Sequence, residues 1–185
     1  MTSRGDHITG RRVMILRPAL LADAEPLARL GRISFCAAFA HLYRPQDLAA
    51  FLEEVYSVDA VATEIADPTI THRLVEDDDG GPLTGFIKMR SPSWYADHSD
   101  AARPIALGQL YTDPARTGEG IGAALMDWAL DFARSGGHDA VQLSVWAENH
   151  AAQRFYARYG FIKIADIHFP VGEQLDEEFL LELRI

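Results

Sequence analysis

The chain has 185 residues, 48% of them hydrophobic and 24% charged, which supplies one domain with a core and excludes disorder as its overall state. Its formal net charge of -10, from 27 acidic and 17 basic residues, repels phosphate backbones and so excludes nucleic acid as the expected partner. A cationic substrate would be attracted, although negative charge also serves solubility alone. The single cysteine, Cys36, excludes an internal disulfide and a Cys-based metal framework, and suits a small buried position.

Residues 1–10 are polar and predicted to be a flexible segment, with one domain spanning 11–185. Arg11 and Arg12 precede an apolar run, but Arg17 and Pro18 break it too early for a signal core or a membrane span. No other stretch comes closer, so no membrane partner is expected and a cytoplasmic setting fits the cysteine usage. Residues 13–17 read as a first strand. Asp23 can cap a helix that carries Leu27, Leu30 and Ser34 on one face, with 35–43 continuing it or turning out of it. Pro45 suits the first position of a second helix, whose Leu48, Phe51, Leu52 and Val55 form an apolar stripe. Ser57 can cap a third, which Pro68 ends.

From residue 71 the period changes. Strands are predicted over 71–76 and 83–89, joined by the acidic turn Asp77-Asp78-Asp79-Gly80-Gly81, which lacks calcium-loop spacing and reads as a solvated hairpin tip. A loop over 91–103 carries Trp94, Tyr95 and His98. A fourth strand follows over 105–112, then a glycine-rich turn and a helix with Ile121, Leu125, Trp128, Ala129 and Phe132 at helical spacing, closed by Gly136 and Gly137. The remainder reads as a strand over 141–146, a helix over 149–159 closed by Gly160, and strands over 162–169 and 179–185. This order gives one mixed α/β domain.

The turn Thr117-Gly118-Glu119-Gly120-Ile121-Gly122-Ala123 lies between a strand and a helix. Unpaired backbone N–H groups and the helix dipole meet there, which suits phosphate, and glycines let the chain approach it. Ala123 and Ala124 stand where a nucleoside-triphosphate loop needs Lys and Ser or Thr. Gly118-x-Gly120-x-x-Ala123 fits a dinucleotide fingerprint literally, although consecutive strands precede it instead of strand–helix repeats. A plain helix start is the third reading. About thirty residues on stands Asn149-x-x-Ala152-x-x-Phe155-Tyr156-x-x-x-Gly160-Phe161, by itself an ordinary capped amphipathic helix.

Taken together, the two stretches resemble the acetyl-CoA-binding core of the GNAT superfamily of N-acyltransferases, whose phosphate loop reads Gln/Arg-x-x-Gly-x-Gly/Ala and whose later helix carries the Asn…Phe-Tyr…Gly-Phe pattern. The match covers residues 105–161. The resemblance implies a mixed, predominantly antiparallel central sheet with splayed fourth and fifth strands, flanked by helices. It implies that pantetheine lies in the splay, against Leu110, Tyr111, Thr112, Asn149 and Ala152, and that backbone from Thr117 through Gly118, Glu119, Gly120, Ile121 and Gly122 to Ala123 holds the pyrophosphate. Tyr156 would protonate the departing thiolate, and a backbone N–H of the fourth strand would polarise the thioester. Acetyl-CoA is the implied co-substrate, with no metal. An amine-bearing small molecule or peptide is the implied partner, and a homodimer is kept open.

Two departures stand out. Thr117 occupies the Gln/Arg position, with Arg116 one place earlier, and whether Arg116 reaches phosphate is open. Ala106 stands where many relatives carry a glutamate base. His41, Glu148, His98 and His168 are candidate replacements, beside a water relay or an amine that arrives neutral. The acceptor would lie among Phe39, Tyr43, Trp94 and Trp146, with His41 and Tyr95 near, although these aromatics equally suit core or surface filling. A coenzyme A sensor on the same fold, without turnover, and a dinucleotide enzyme are the rival functions.

Overall fold

The computed structural model describes residues 13–77 and 80–185. The expected flexible segment over residues 1–10, with Arg11, Arg12 and the turn residues Asp78 and Asp79, lies outside the described residues.

Among the described residues seven strands form one sheet: β1 (Ile15–Pro18), β2 (Ile70–Glu76), β3 (Leu83–Arg90), β4 (Pro104–Thr112), β5 (Ala140–Trp146), β6 (Ile162–Val171) and β7 (Gln174–Arg184). Their spatial order is β1-β2-β3-β4-β5-β7-β6, and every neighbouring pair is antiparallel except β4 with β5. The repeated parallel strand–helix units of a dinucleotide fold are therefore not what the glycine turn belongs to. The helices are α1 (Ala24–Phe39), α2 (Pro45–Tyr56), α3 (Val58–Ala66), α4 (Ile121–Ser135) and α5 (His150–Arg158).

Alternation along the strands assigns the helices to faces. On β2 and β3, Leu74 and Phe86 bury against Leu27, Ala28, Leu30 and Val61 of α1 and α3. Val75 and Ile87, one position on, bury against Leu125, Met126 and Ala129 of α4 on the other face. Tyr156 and Phe161 join the α4 side, while Phe35, Phe51, Tyr56 and Val171 make a third cluster under α1 and α2.

Local chemistry explains most boundaries. Pro45 opens α2, the Ser57 hydroxyl accepts from Ala60 N–H at 3.2 Å to start α3, and Asn149 Oδ1 accepts from Ala152 N–H at 3.1 Å to start α5. Asp23 precedes α1 without capping it. Its carboxylate accepts instead from Leu20 N–H at 2.7 Å and from the Arg17 guanidinium at 2.8 and 2.9 Å. The last strand begins at Gln174, five residues before the expected 179, because 174–178 pair with β6 through a tight turn at Gly172 and Glu173. That extension brings Asp176 and Glu178 into the sheet.

Candidate active site

The parallel pair β4–β5 is joined only at its start, where Pro104, Ile105 and Ala106 face Ala140, Val141 and Gln142. Beyond Ala106 the two strands part, yet β4 stays paired with β3 as far as Thr112, and β5 with β7 as far as Trp146. A bulge drives the parting. Lys88 pairs with Gln109 and Met89 with Leu107, leaving Gly108 unmatched on β4. A Cβ on Gly108 would stand 3.0 Å from Trp94 and 3.1 Å from Lys88, so the missing side chain also admits the indole.

The splay opens a cleft of about 490 Å³. Leu110 and Tyr111 line it from β4, Ser144 and Trp146 from β5, and Asn149, Ala152 and Tyr156 from the α5 side. Phe39, Tyr43, Trp94 and Trp146, the expected acceptor residues, all reach it, and so do Phe35, Phe51, Tyr56 and Tyr95. Phe39 meets Trp146 edge-on at 6.2 Å, and Phe35 stacks on Tyr43 at 6.0 Å. Gln153 pins the turn between β5 and α5 by donating to the carbonyls of Trp146 and Ala147 at 3.2 and 2.8 Å. The Tyr159 hydroxyl donates to Ala123 carbonyl at 3.4 Å and ties α5 to the start of α4.

The glycine turn follows β4 beyond the cleft: neither Thr112 nor any of residues 117–123 lines it, and a Cβ on Gly122 would stand 3.7 Å from the cleft-lining Leu110. Pro114–Arg116 forms one 3-10 turn, and Gly118 and Gly120 then take φ of +83° and +86°, a region that strains any residue with a Cβ. Among the described residues no side chain caps α4, and its first helical bond runs from Ala124 N–H to Gly120 carbonyl at 3.0 Å. The preceding amides of Ile121, Gly122 and Ala123 therefore lie outside the helical ladder, at the positive end of its dipole. The Ile121 side chain itself is 2% exposed and belongs to the core, so only its backbone belongs to this turn. Arg116 does not swing over the turn. Asp77 holds its guanidinium through two bonds of 2.8 Å, and Glu119 holds Nε at 2.7 Å. Thr117 stays exposed, and Thr112, at the end of β4, accepts from the Ser34 hydroxyl at 3.2 Å through its carbonyl.

Titration in the cleft follows burial. Burial, with Tyr111 adding to it, raises the Tyr156 phenol above its ordinary value, and burial pushes Tyr111 up to about 12. Tyr43 rises through burial and through donating to Asp176. Burial also pushes Glu64 upward, but hydrogen bonding to His72 and the charge of Lys88 outweigh it and hold that carboxyl below its usual range. At Glu178 burial prevails over the Ser144 hydroxyl, and nearby Asp176 raises it further.

The sequence-predicted bases fare differently. Ala106 is 0% exposed and buried between strands, and none of His41, His98, Glu148 and His168 lines the cleft. The carboxylates that do are Glu54, Glu64, Asp176 and Glu178. Asp176 and Glu178 were missed because Leu175-Asp176-Glu177-Glu178 shows no apolar alternation to mark a strand, and its one leucine is 64% exposed.

A profile of the Acetyltransferase (GNAT) family matches residues 36–161, which include β4, the glycine turn and α5. The chain belongs to this family. An uncharacterised N-acetyltransferase from Lactobacillus delbrueckii subsp. lactis is 25% identical over 86% of this chain and 91% of its own length. The mycothiol acetyltransferase of Beutenbergia cavernae is 37% identical over 54% of this chain, which spans only 30% of that larger protein. Among solved structures, the PaiA N-acetyltransferase of Thermoplasma acidophilum, crystallised with coenzyme A, superposes with a TM-score of 0.73 at 21% identity, covering 93% of this chain and 99% of that one. That likeness establishes the acetyltransferase fold. Among the described residues no helix is long and apolar enough to cross a membrane.

Proposed function

We propose that this acetyltransferase moves an acetyl group from acetyl-CoA to a primary amine of a small molecule or peptide, by direct attack in a ternary complex, with Tyr156 as general acid. One observation carries the reading: the β4–β5 splay opens a cleft walled by a buried phenol, and the strand that lines it at Leu110 and Tyr111 runs on into the glycine turn that starts α4. The residues present fit the co-substrate. Amides from Thr117 to Ala123 suit a pyrophosphate, and the unpaired edge of β4 at Leu110, Tyr111 and Thr112 suits the amides of pantetheine.

Acetyl-CoA supplies the activated acyl group. Asn149 spends Oδ1 on its helix cap and keeps its amide donor for the pantetheine arm, beside Ala152. A backbone N–H of β4 stabilises charge on the thioester oxygen. Tyr156, kept protonated by burial, delivers its proton to the leaving sulfur. The aromatic wall of Phe39, Tyr43, Trp94 and Trp146 receives the acceptor. Cytoplasmic residence and association as a homodimer remain part of this reading.

Calorimetry with acetyl-CoA, followed by a thiol-release assay with primary amines, tests it. Tight binding and amine-dependent thiol release are expected. A protein that binds acetyl-CoA and releases no thiol with any amine is a coenzyme sensor, and the enzymatic reading is then wrong.

A further inference from the structure

The acceptor side of the cleft holds a carboxylate with unused capacity. Glu178 sits on β7 directly across from Trp146 of β5 and Ile167 of β6. Its Oε2 is sealed from solvent and has no hydrogen-bond partner among the described residues. Leaving a buried oxygen unpaired disfavours the ionised form and so makes the carboxyl a readier proton acceptor, while the side chain as a whole is only half-buried and lines the cleft, where a ligand can reach it.

The other carboxylates of the cleft are engaged or peripheral. Asp176 accepts from the Tyr43 hydroxyl and from Gln174 Nε2, the latter at 2.7 Å. Glu64 accepts from Lys88 Nζ at 2.8 Å, and Glu54 is exposed. Among the described residues four carboxylates therefore line the cleft against one lysine, itself paired, so a cation is favoured there. Asp176 from the same strand raises Glu178, and Glu178 in turn raises the phenols of Tyr43 from the turn after α1, Tyr95 from the loop before β4 and Tyr111 from β4. The Tyr95 hydroxyl donates to Ser144 Oγ at 3.1 Å, and Ser144 in turn favours the ionised form of Glu178. Tyr111, Tyr156 and Glu178 all line the same cleft.

The geometry points to Glu178 as the catalytic base for the acceptor, a small cationic primary amine whose apolar body lies against Phe39 and Trp146. This rests on the acetyl-transfer reading of the cleft. The Glu178 carboxylate pairs with the ammonium and takes one of its protons, which later passes to solvent. The freed lone pair on nitrogen forms the C–N bond to the acyl carbon. The C–S bond then breaks, and sulfur leaves with its electron pair and receives the Tyr156 proton. The second proton lost from nitrogen restores Tyr156. Per turnover, one proton ends on the thiol and one in solvent.

Tyramine, 1,4-diaminobutane and phenylalaninamide serve as probe acceptors. Glu178→Gln is expected to lower kcat/KM for the fastest probe by about 10²–10⁴-fold at pH 7. Wild-type kcat/KM should level off above the Glu178 titration, whereas the variant's should climb about tenfold per pH unit until the amine itself loses its proton. Acetyl-CoA affinity, read by calorimetry, should not change. Without substrates, the variant's melting temperature should rise by about 2–4 °C at pH 7, since a buried ionised group is removed, with the gain vanishing at pH 4. Ser144→Ala is the second variant and should move the acidic limb of the wild-type profile to higher pH. Wild-type kcat/KM and an unchanged pH profile in Glu178→Gln would overturn the assignment of the base. A protein that binds acetyl-CoA but acetylates none of the three amines overturns the acceptor class. Failure to bind acetyl-CoA at all overturns the acetyl-transfer reading beneath both.

Discussion

A phenol whose pKa is raised stays neutral across the physiological range, so Tyr156 is suited to giving a proton and unsuited to taking one. Replacing it by phenylalanine keeps the ring among Phe155 and Phe161 and removes only the donor. Tyr156→Phe is expected to lower kcat by roughly 10²–10⁴-fold with acetyl-CoA affinity preserved, measured by steady-state assay and calorimetry. Turnover at the wild-type rate would remove Tyr156 from the chemistry. Gly120 is a different kind of residue. Space around it is open, so Gly120→Ala meets no neighbour and costs only the strain of its φ of +86°, about 1–2 kcal/mol. Relief of that strain turns the amides away, and a calorimetric titration should show roughly tenfold weaker acetyl-CoA binding. The caps at Ser57 and Asn149 and the pairing of the glycine turn with the Asn-to-Phe stretch were legible because each is local in sequence. Glu178 was not. Its burial depends on β7 lying between β5 and β6, which no window along the chain reveals.

Element boundaries were readable wherever a single segment decides them, as at Pro45 or Gly136. The bulge at Gly108 was not read, although a glycine inside a strand is a signal for one. It matters because it separates β4 from β5 after three residue pairs. A second glycine fixes the approach of α4 to the sheet. A Cβ at Gly85 of β3 would stand 2.5 Å from Ile121 Cγ2 and 3.1 Å from the Tyr111 carbonyl. Ile121 is the first residue of α4, so relief must shift the helix start or β4. Gly85→Ala should therefore destabilise the fold by about 1–3 kcal/mol, seen in urea unfolding, and should weaken acetyl-CoA binding although it lies outside the glycine turn. Full affinity in a destabilised variant would detach the turn's geometry from that contact.

Across the whole molecule, composition gave the class and the net charge, while the ion pairs that join distant segments emerged only with the fold. Arg17 of β1 donates to Glu76 of β2 at 2.9 Å and clasps Asp23 before α1. The Arg17 guanidinium, with Leu20 N–H, outweighs burial and holds Asp23 below the usual carboxylate range, and Glu64 is likewise depressed. A depressed carboxyl contributes stability that is present above its unfolded value and lost as pH falls through its folded value. The urea midpoint should therefore drop steeply below about pH 4, and Asp23→Asn should flatten that dependence; an equally steep curve in the variant would assign the acid sensitivity elsewhere. The parted strands have one more consequence. Each arm of the fork leans on its own companion, β3 on one side and β7 on the other, so the slot stands ready-made and no ladder must be prised apart to admit a guest. Little order is then left to impose on the protein during docking, and the interaction energy goes into holding the guest instead of building its berth.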